Sequence, residues 1–255
     1  MKAMIFAAGL GTRLKPLTDR MPKALVPLAG KSLIEWQVEK LREAGIREIV
    51  VNVHHFPDMI IDAIRENKGW GCEIQVSDER DCLLETGGGL RKAGELLLTS
   101  SAGEKQEEPI LVCNVDILSN IDLKALIAEW RKAESDTLGM LVVSERETQR
   151  YLLFDEDGRL RGWTNVKTGE VKPAGASVEK RRKLAFSGMQ ILSPKIFSKM
   201  DAVVAEKGEK FSLIDLYLNL CEKEVFRAYL PADYRMMDVG KIDQIEEAER
   251  FAESL

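Results

Sequence analysis

The chain has 255 residues, 45% of them apolar, which suffices for one large domain with a full hydrophobic core. Its 42 acidic residues outnumber 37 basic ones and aromatic residues make up only 6%. That balance argues against a protein that neutralises nucleic-acid phosphates or stacks bases on an aromatic platform. No apolar run approaches the ~18 residues that span a membrane, and the four cysteines (Cys72, Cys82, Cys113, Cys221) form no C-x-x-C pair. Free thiols in a cytoplasmic protein are therefore expected.

In chain order, Lys2 to Phe6 reads as a buried strand, too short and too soon followed by Arg13 and Lys15 for a signal peptide. A long Gly- and Pro-bearing loop runs from Ala7 to Gly30. Ser32 and Glu35 have the spacing of a capping box, and Leu33, Trp36, Val38 and Leu41 continue as a helix that Gly45 closes. A strand over 49–53, a helix over 57–67 and a strand over 73–76 follow, with Met59, Ile60, Ala63 and Ile64 facing the core. Then come a helix over 90–98 and a strand over 110–113 that ends in Asn114-Val115-Asp116. The polar stretch 99–108 and the stretch 167–183, with its basic run Lys180-Arg181-Arg182-Lys183, read as surface insertions. A strand over 184–192, a helix over 211–221, a strand over 225–230, a turn at Asp238-Val239-Gly240 and a helix over 242–251 complete the chain.

Strands alternating with helices predict an α/β fold, a mainly parallel mixed sheet between two helical layers. Residues 1–255 are expected to form a single Rossmann-like domain, with halves over approximately 1–120 and 121–255. In such sheets ligands gather beyond the carboxyl ends of the strands. His54 and His55 follow the second strand, but no acid or nucleophile stands near them in sequence, so they read as loop or packing residues.

The richest segment is Ala7-Ala8-Gly9-Leu10-Gly11-Thr12-Arg13-Leu14, continuing to Pro22-Lys23. A Gly-rich turn after a strand leaves backbone N–H groups free for phosphate oxygens, and Arg13 and Lys23 add positive charge beside them. Two commoner motifs fail here. The third glycine of a dinucleotide fingerprint is replaced by Leu14, and Gly30-Lys31-Ser32 lacks the earlier glycine of a P-loop, where Leu25 stands.

The stretch from Met4 through Gly9-Leu10-Gly11-Thr12-Arg13 to Pro22-Lys23-Ala24-Leu25-Val26-Pro27 resembles the opening motif of the sugar nucleotidyltransferase family. The resemblance implies nucleotide binding by Ala7, Ala8, Gly9, Gly11 and Thr12. It implies catalytic roles for Arg13 and for Lys23, which would bridge the α-phosphate and an incoming sugar phosphate. A triphosphate and a sugar phosphate bring roughly six negative charges into one cleft, so Mg2+ is expected. Asp116 and Asp238 resemble the family's metal-binding aspartates, although Val115 stands where the family usually has glycine.

Glu85-Thr86-Gly87-Gly88-Gly89 is similar to the corresponding segment of N-acetylmuramate 1-phosphate uridylyltransferases. This implies UTP and base contacts at Glu85, Gly87 and Gly88. Guanylyl- and cytidylyltransferases of the same family, and a catalytically silent nucleotide sensor, remain alternatives. For the sugar, Ser187 and Gly188 resemble the family's sugar-side segment, and Asn114 and Asn165 are further candidates. Glu179-Lys180 lacks the proline of the related family element and reads equally well as solvated surface. The partners are thus a nucleoside triphosphate and a sugar-1-phosphate, with no nucleic acid and no membrane.

Overall fold

The computed structural model describes residues 1–99 and 103–255. Its centre is a 10-stranded sheet. Lys2–Phe6 lies between Glu48–Val53 and Ile110–Asn114, parallel to both, and Glu73–Asp78 extends the sheet beyond Glu48–Val53. On the other side the long strand Arg182–Leu192 runs antiparallel to Ile110–Asn114, to Thr137–Ser144 and to Arg150–Phe154. Leu160–Asn165 and Glu170–Lys172 add a hairpin beyond Arg150–Phe154, and Val225–Tyr229 pairs parallel with Thr137–Ser144.

Period-two alternation feeds two cores. In the first strand Ala3 and Ile5 join one cluster, Met4 and Phe6 the other. The first cluster is roofed by the helices Leu33–Glu43, Pro57–Glu66, Leu123–Lys132 and Ile245–Glu253. The second is roofed by Glu85–Lys92, Gly94–Leu98, Met200–Lys207 and Leu213–Leu220. The expected α/β sheet between two helical layers is therefore present. The antiparallel share enters with Arg182–Leu192, whose direction the local pattern does not encode.

Several expectations are corrected. The third helix starts at Glu85, not near residue 90, so the triple glycine lies inside a helix. Glycine is a poor helix former, but these glycines are buried and their missing side chains make room for another segment, described below. The stretch 167–183 is more than an insertion. It supplies the strand Glu170–Lys172, and Arg182 and Lys183 already belong to the long strand. In the stretch 99–108, Thr99 and Lys105 form an isolated bridge, while residues 100–102 lie outside the described residues. The expected capping box at Ser32 and Glu35 is formed.

Candidate active site

The chain crosses from one side of Lys2–Phe6 to the other between Glu73–Asp78 and Ile110–Asn114. A crevice at such a switch point is the usual ligand position in an open α/β sheet. Here it is a cavity of about 420 Å³, lined by Ala7, Gly9, Gly11, Thr12, Arg13 and Lys23 from the first loop and by Asn114, Val115 and Asp116 after Ile110–Asn114.

The loop is held in short turns. Gly11 sits at φ 61°, in the left-handed region. Its carbonyl accepts from Leu14 N–H and from Thr18 Oγ1, both at 2.8 Å. A Cβ on Gly11 would lie 2.8 Å from Thr18 Cγ2 and 3.1 Å from Lys23 Cβ, so only glycine fits this turn. The turn delivers Lys23, which is buried, to an ion pair between its Nζ and Asp116 Oδ2.

Asp238 joins them through a two-stranded ribbon. Met236–Asp238 pairs antiparallel with Ile117–Ser119, and Val239 N–H donates to Asp116 O at 2.9 Å. Asp238 is an exposed residue whose carboxylate lies next to Gly240, a lining residue of the cleft. The protein packed around it and the charge of Asp116 raise its pKa above the ordinary value, while Lys23, Arg13 and Arg146 pull it back. Arg13 lies beside it, since a Cβ on Gly240 would come within 2.7 Å of Asp238 Oδ1 and 2.9 Å of Arg13 Nη2. Arg13, Lys23 and Asp116 thus line one cleft, and Asp238 stands beside Arg13 next to Gly240, which lines it too. Among the described residues no group of three or more His, Cys, Asp or Glu is placed to hold a metal. A cation here would rest on Asp116 and Asp238 alone, completed by water and phosphate oxygens.

The ribbon is anchored from behind by the helix Leu33–Glu43. Gln37 Nε2 donates to Ile117 O at 2.7 Å, and Lys40 Nζ donates to the Ser119 carbonyl and, at 3.2 Å, to Ser119 Oγ. Burial lowers the Lys40 pKa to about 8. Neither residue stood out in the sequence, because a Gln and a Lys on an amphipathic helix carry no mark of what they reach.

A second hollow of about 360 Å³ adjoins the first and is lined by Ala8, Gly9, Asn52, Glu85, Thr86 and Ser212. Its two walls are tied by a buried relay. Ala7 N–H donates to Asn52 Oδ1 at 2.8 Å, Asn52 Nδ2 to Glu79 Oε1 at 2.7 Å, and Leu84 N–H to Glu79 Oε2 at 3.2 Å. Glu79 is fully buried, and desolvation raises its pKa.

Glu85 lines this hollow at φ 61°, a strained backbone for a residue with a side chain. Gly87 and Gly88 have their faces filled from within, and their N–H groups donate to Phe211 O at 2.9 and 3.1 Å. Added Cβ atoms would meet Phe211 Cδ2 at 2.4 Å and Glu209 O at 2.2 Å respectively. These glycines admit the 209–211 segment, and Thr86 beside them lines both hollows, as do Phe6, Gly9 and Leu83.

On the remaining side Asn114 and Gly188 meet. Gly188 has φ 69° where Arg182–Leu192 shifts register between Phe186 and Gln190, and a Cβ on it would lie 2.8 Å from Asn114 Nδ2. Ser187, the preceding residue, is fully buried. Asn165 is spent elsewhere, with its Oδ1 accepting from Lys167 N–H at 3.0 Å in the hairpin turn, and it lines neither hollow. His54 Nδ1 lies 2.7 Å from Glu79 O and His55 Nε2 lies 3.1 Å from Thr18 O, so both are packing residues of the loop, as expected.

Comparison with known proteins converges with this geometry. The family model described as nucleotidyl transferase matches residues 2–254. An N-acetylmuramate alpha-1-phosphate uridylyltransferase from Caulobacter vibrioides is 36% identical over 205 residues, covering 76% of each chain. A mannose-1-phosphate guanyltransferase from Emericella nidulans is 34% identical over 152 residues, 59% of this chain and 40% of that protein. A Bacillus anthracis structure assigned as a glucose-1-phosphate thymidylyltransferase superposes with a TM-score of 0.81 at 15% identity, over 100% of this chain and 96% of that one, which speaks for the fold alone. With a match over nearly its whole length, the chain belongs to the nucleotidyl transferase family.

Proposed function

We propose that this enzyme transfers a nucleotidyl group from UTP to the phosphate of N-acetylmuramate 1-phosphate or a related hexosamine 1-phosphate, releasing pyrophosphate. The observation that carries the reading is the grouping of Lys23, Arg13 and Asp116 along one cleft, with Asp238 beside Arg13. The identity to the Caulobacter enzyme over three quarters of both chains supports the choice of substrates.

In the proposed reaction a phosphate oxygen of the sugar phosphate attacks the α-phosphorus in line. The bond from the α-phosphorus to the bridging oxygen breaks, and pyrophosphate leaves with the electron pair. A sugar phosphate is already anionic at neutral pH, so no general base is needed. Catalysis is positioning and charge neutralisation. Lys23, buried with Asp116 as its partner, keeps further N–H donors for the oxygens around the α-phosphorus, and Arg13 stands where the leaving phosphates would lie. The two carboxylates suit Mg2+, which takes hard oxygen donors and tolerates water and phosphate in its remaining positions. Burial first and the charge of Asp116 second raise the pKa of Asp238, and a cation bound between the two would offset the second of these. When bound, the ion would offset phosphate charge. The free thiols at Cys72, Cys82, Cys113 and Cys221 support a reducing compartment, the cytoplasm. No helix among the described residues is long and apolar enough to cross a membrane.

The test is pyrophosphate release from a panel of sugar-1-phosphates against the four nucleoside triphosphates. Turnover with UTP and a hexosamine phosphate is the expected result. Guanylyl transfer, favoured by the likeness to the Emericella enzyme, would appear as GTP dependence. Tight nucleotide binding without release from any pair would leave a sensor and sink the enzymatic reading.

A further inference from the structure

The two hollows of the cleft adjoin, and the residues that line both of them, Phe6, Gly9, Leu83 and Thr86, mark where they meet. A nucleoside triphosphate has a fixed order of parts, with the ribose between the base and the phosphates. With the phosphates against the Gly9–Arg13 turn and the base in the second hollow, the ribose falls at this junction. Each ribose hydroxyl taken out of water needs a hydrogen-bonding partner. Phe6 and Leu83 bring only hydrocarbon, and Gly9 only its main chain. Thr86 is the one junction residue whose side chain can make a hydrogen bond.

Thr86 is the second residue of the helix Glu85–Lys92 and is half-buried. Leu213 N–H donates to its Oγ1 at 2.9 Å. That donor is itself held in place, because Ser212 caps the helix Leu213–Leu220 with its Oγ accepting from Asp215 N–H at 3.1 Å. One lone pair of Thr86 is thereby used, and its hydroxyl proton goes to no acceptor among the described residues. The neighbouring groups are already engaged. Gly87 and Gly88 N–H both donate to Phe211 O, and the Ser212 hydroxyl, in the wall of the second hollow, donates to Asp215 Oδ2 at 2.7 Å. What the junction keeps is a hydroxyl fixed from behind by one bond, with a proton still to give.

We propose that Thr86 determines specificity by donating its hydroxyl proton to a ribose hydroxyl oxygen of the nucleotide, so that the enzyme selects ribonucleotides over analogues lacking that hydroxyl. This rests on the nucleotidyl-transfer reading and assigns the ribose contact within it.

The experiment deletes the contact from both sides. UTP, 2′-deoxy-UTP and 3′-deoxy-UTP are compared in the full chain and in Thr86→Val and Thr86→Ser, by pyrophosphate release with N-acetylmuramate 1-phosphate and by a melting curve for each protein. The natural chain should lose about three- to tenfold in kcat/KM with one of the two analogues. That penalty should vanish in Thr86→Val and return in Thr86→Ser, which keeps the hydroxyl. Thr86→Val also leaves Leu213 N–H without its acceptor, so Thr86→Ala, with room for a water there, is the second deletion. A merely structural Thr86 would lower all three nucleotides by the same factor. That outcome, a penalty that persists in both deletions, or equal use of the three nucleotides by the natural chain overturns the contact and leaves nucleotidyl transfer standing. If no sugar phosphate turns over, calorimetric titration of the three nucleotides with Mg2+ reads the same ratios. Discrimination that is lost in Thr86→Val then upholds the ribose contact while the transfer reading fails. Absence of UTP binding overturns both.

Discussion

The main-chain N–H of Val239 donates to the carbonyl of Asp116 at 2.9 Å, which fixes two aspartates 122 positions apart in sequence as neighbours on one ribbon. Their separation is set by backbone pairing, with the Asp116 carboxylate held by Lys23 and that of Asp238 beside Arg13. Asp116→Asn and Asp238→Asn should each lower turnover on the order of a hundredfold or more. Thermal stability should be nearly kept in Asp238→Asn and lowered in Asp116→Asn, which leaves the buried Lys23 without its ion-pair partner. Pyrophosphate release at saturating Mg2+, alongside a melting curve, checks both. Near-normal rates in the two variants would remove the pair from the chemistry.

Lys23 is expected to act on the transition state. Lys23→Met should reduce kcat about a hundredfold, whereas a pure binding residue would raise KM and leave kcat alone. Initial rates over a matrix of both substrates separate the two outcomes.

The relay through Asn52 and Glu79 makes a stability prediction. Glu79→Ala leaves the Asn52 amide and the Leu84 N–H buried without their acceptor, at a cost of about 2 kcal/mol or more. Because the relay ties the Ala7 backbone to the wall that carries Glu85 and Thr86, the KM for the nucleotide should rise as well. Denaturant melts and nucleotide titration read the two effects separately.

Two glycines should behave oppositely. A Cβ on Gly88 would sit 2.2 Å from Glu209 O, while one on Gly9 would meet nothing within 4 Å. Gly88→Ala is expected to destabilise the fold by about 1–3 kcal/mol. Gly9→Ala should leave melting unchanged and weaken only nucleotide binding. A Gly88→Ala protein that melts like the parent would contradict the packing described here.

Lys40 predicts a pH signature. Its pKa falls from 10.5 in the unfolded chain to about 8 in the fold. Between these values the unfolded chain holds the proton and the folded one has released it. Stability therefore rises with pH through this window and loses that contribution as pH falls through about 8. Relative to Lys40→Met, the natural chain should gain stability from pH 8 to 10.5. A difference that is flat with pH would show that Lys40 stays charged.

The first loop and the four parallel strands were legible in the sequence because each is written in local pattern, alternating apolar runs and a glycine turn followed by Arg13 and Lys23. Asp116 followed a strand, while Asp238 was singled out only by its resemblance to the family's motif, since its short strand left no apolar run. The triple glycine misled for a physical reason. Glycine marks a place where something approaches closely, but not what approaches, and here it is the chain's own Phe211. Gln37, Lys40, Asn52 and Glu79 left no trace, since their roles depend on partners 27 to 80 positions away. Asn165 looked polar and available, yet its amide is consumed by its own turn.

The strand Arg182–Leu192 supplies the antiparallel neighbour of Ile110–Asn114. Cutting the polypeptide near residue 120 would strip that neighbour away and leave a bare row of amides and carbonyls along the strand that delivers Asp116, an edge on which copies stack and precipitate. The front half is thus no portable module. Chimeras that trade back halves between relatives to change sugar preference must first re-match this one ladder, rung by rung.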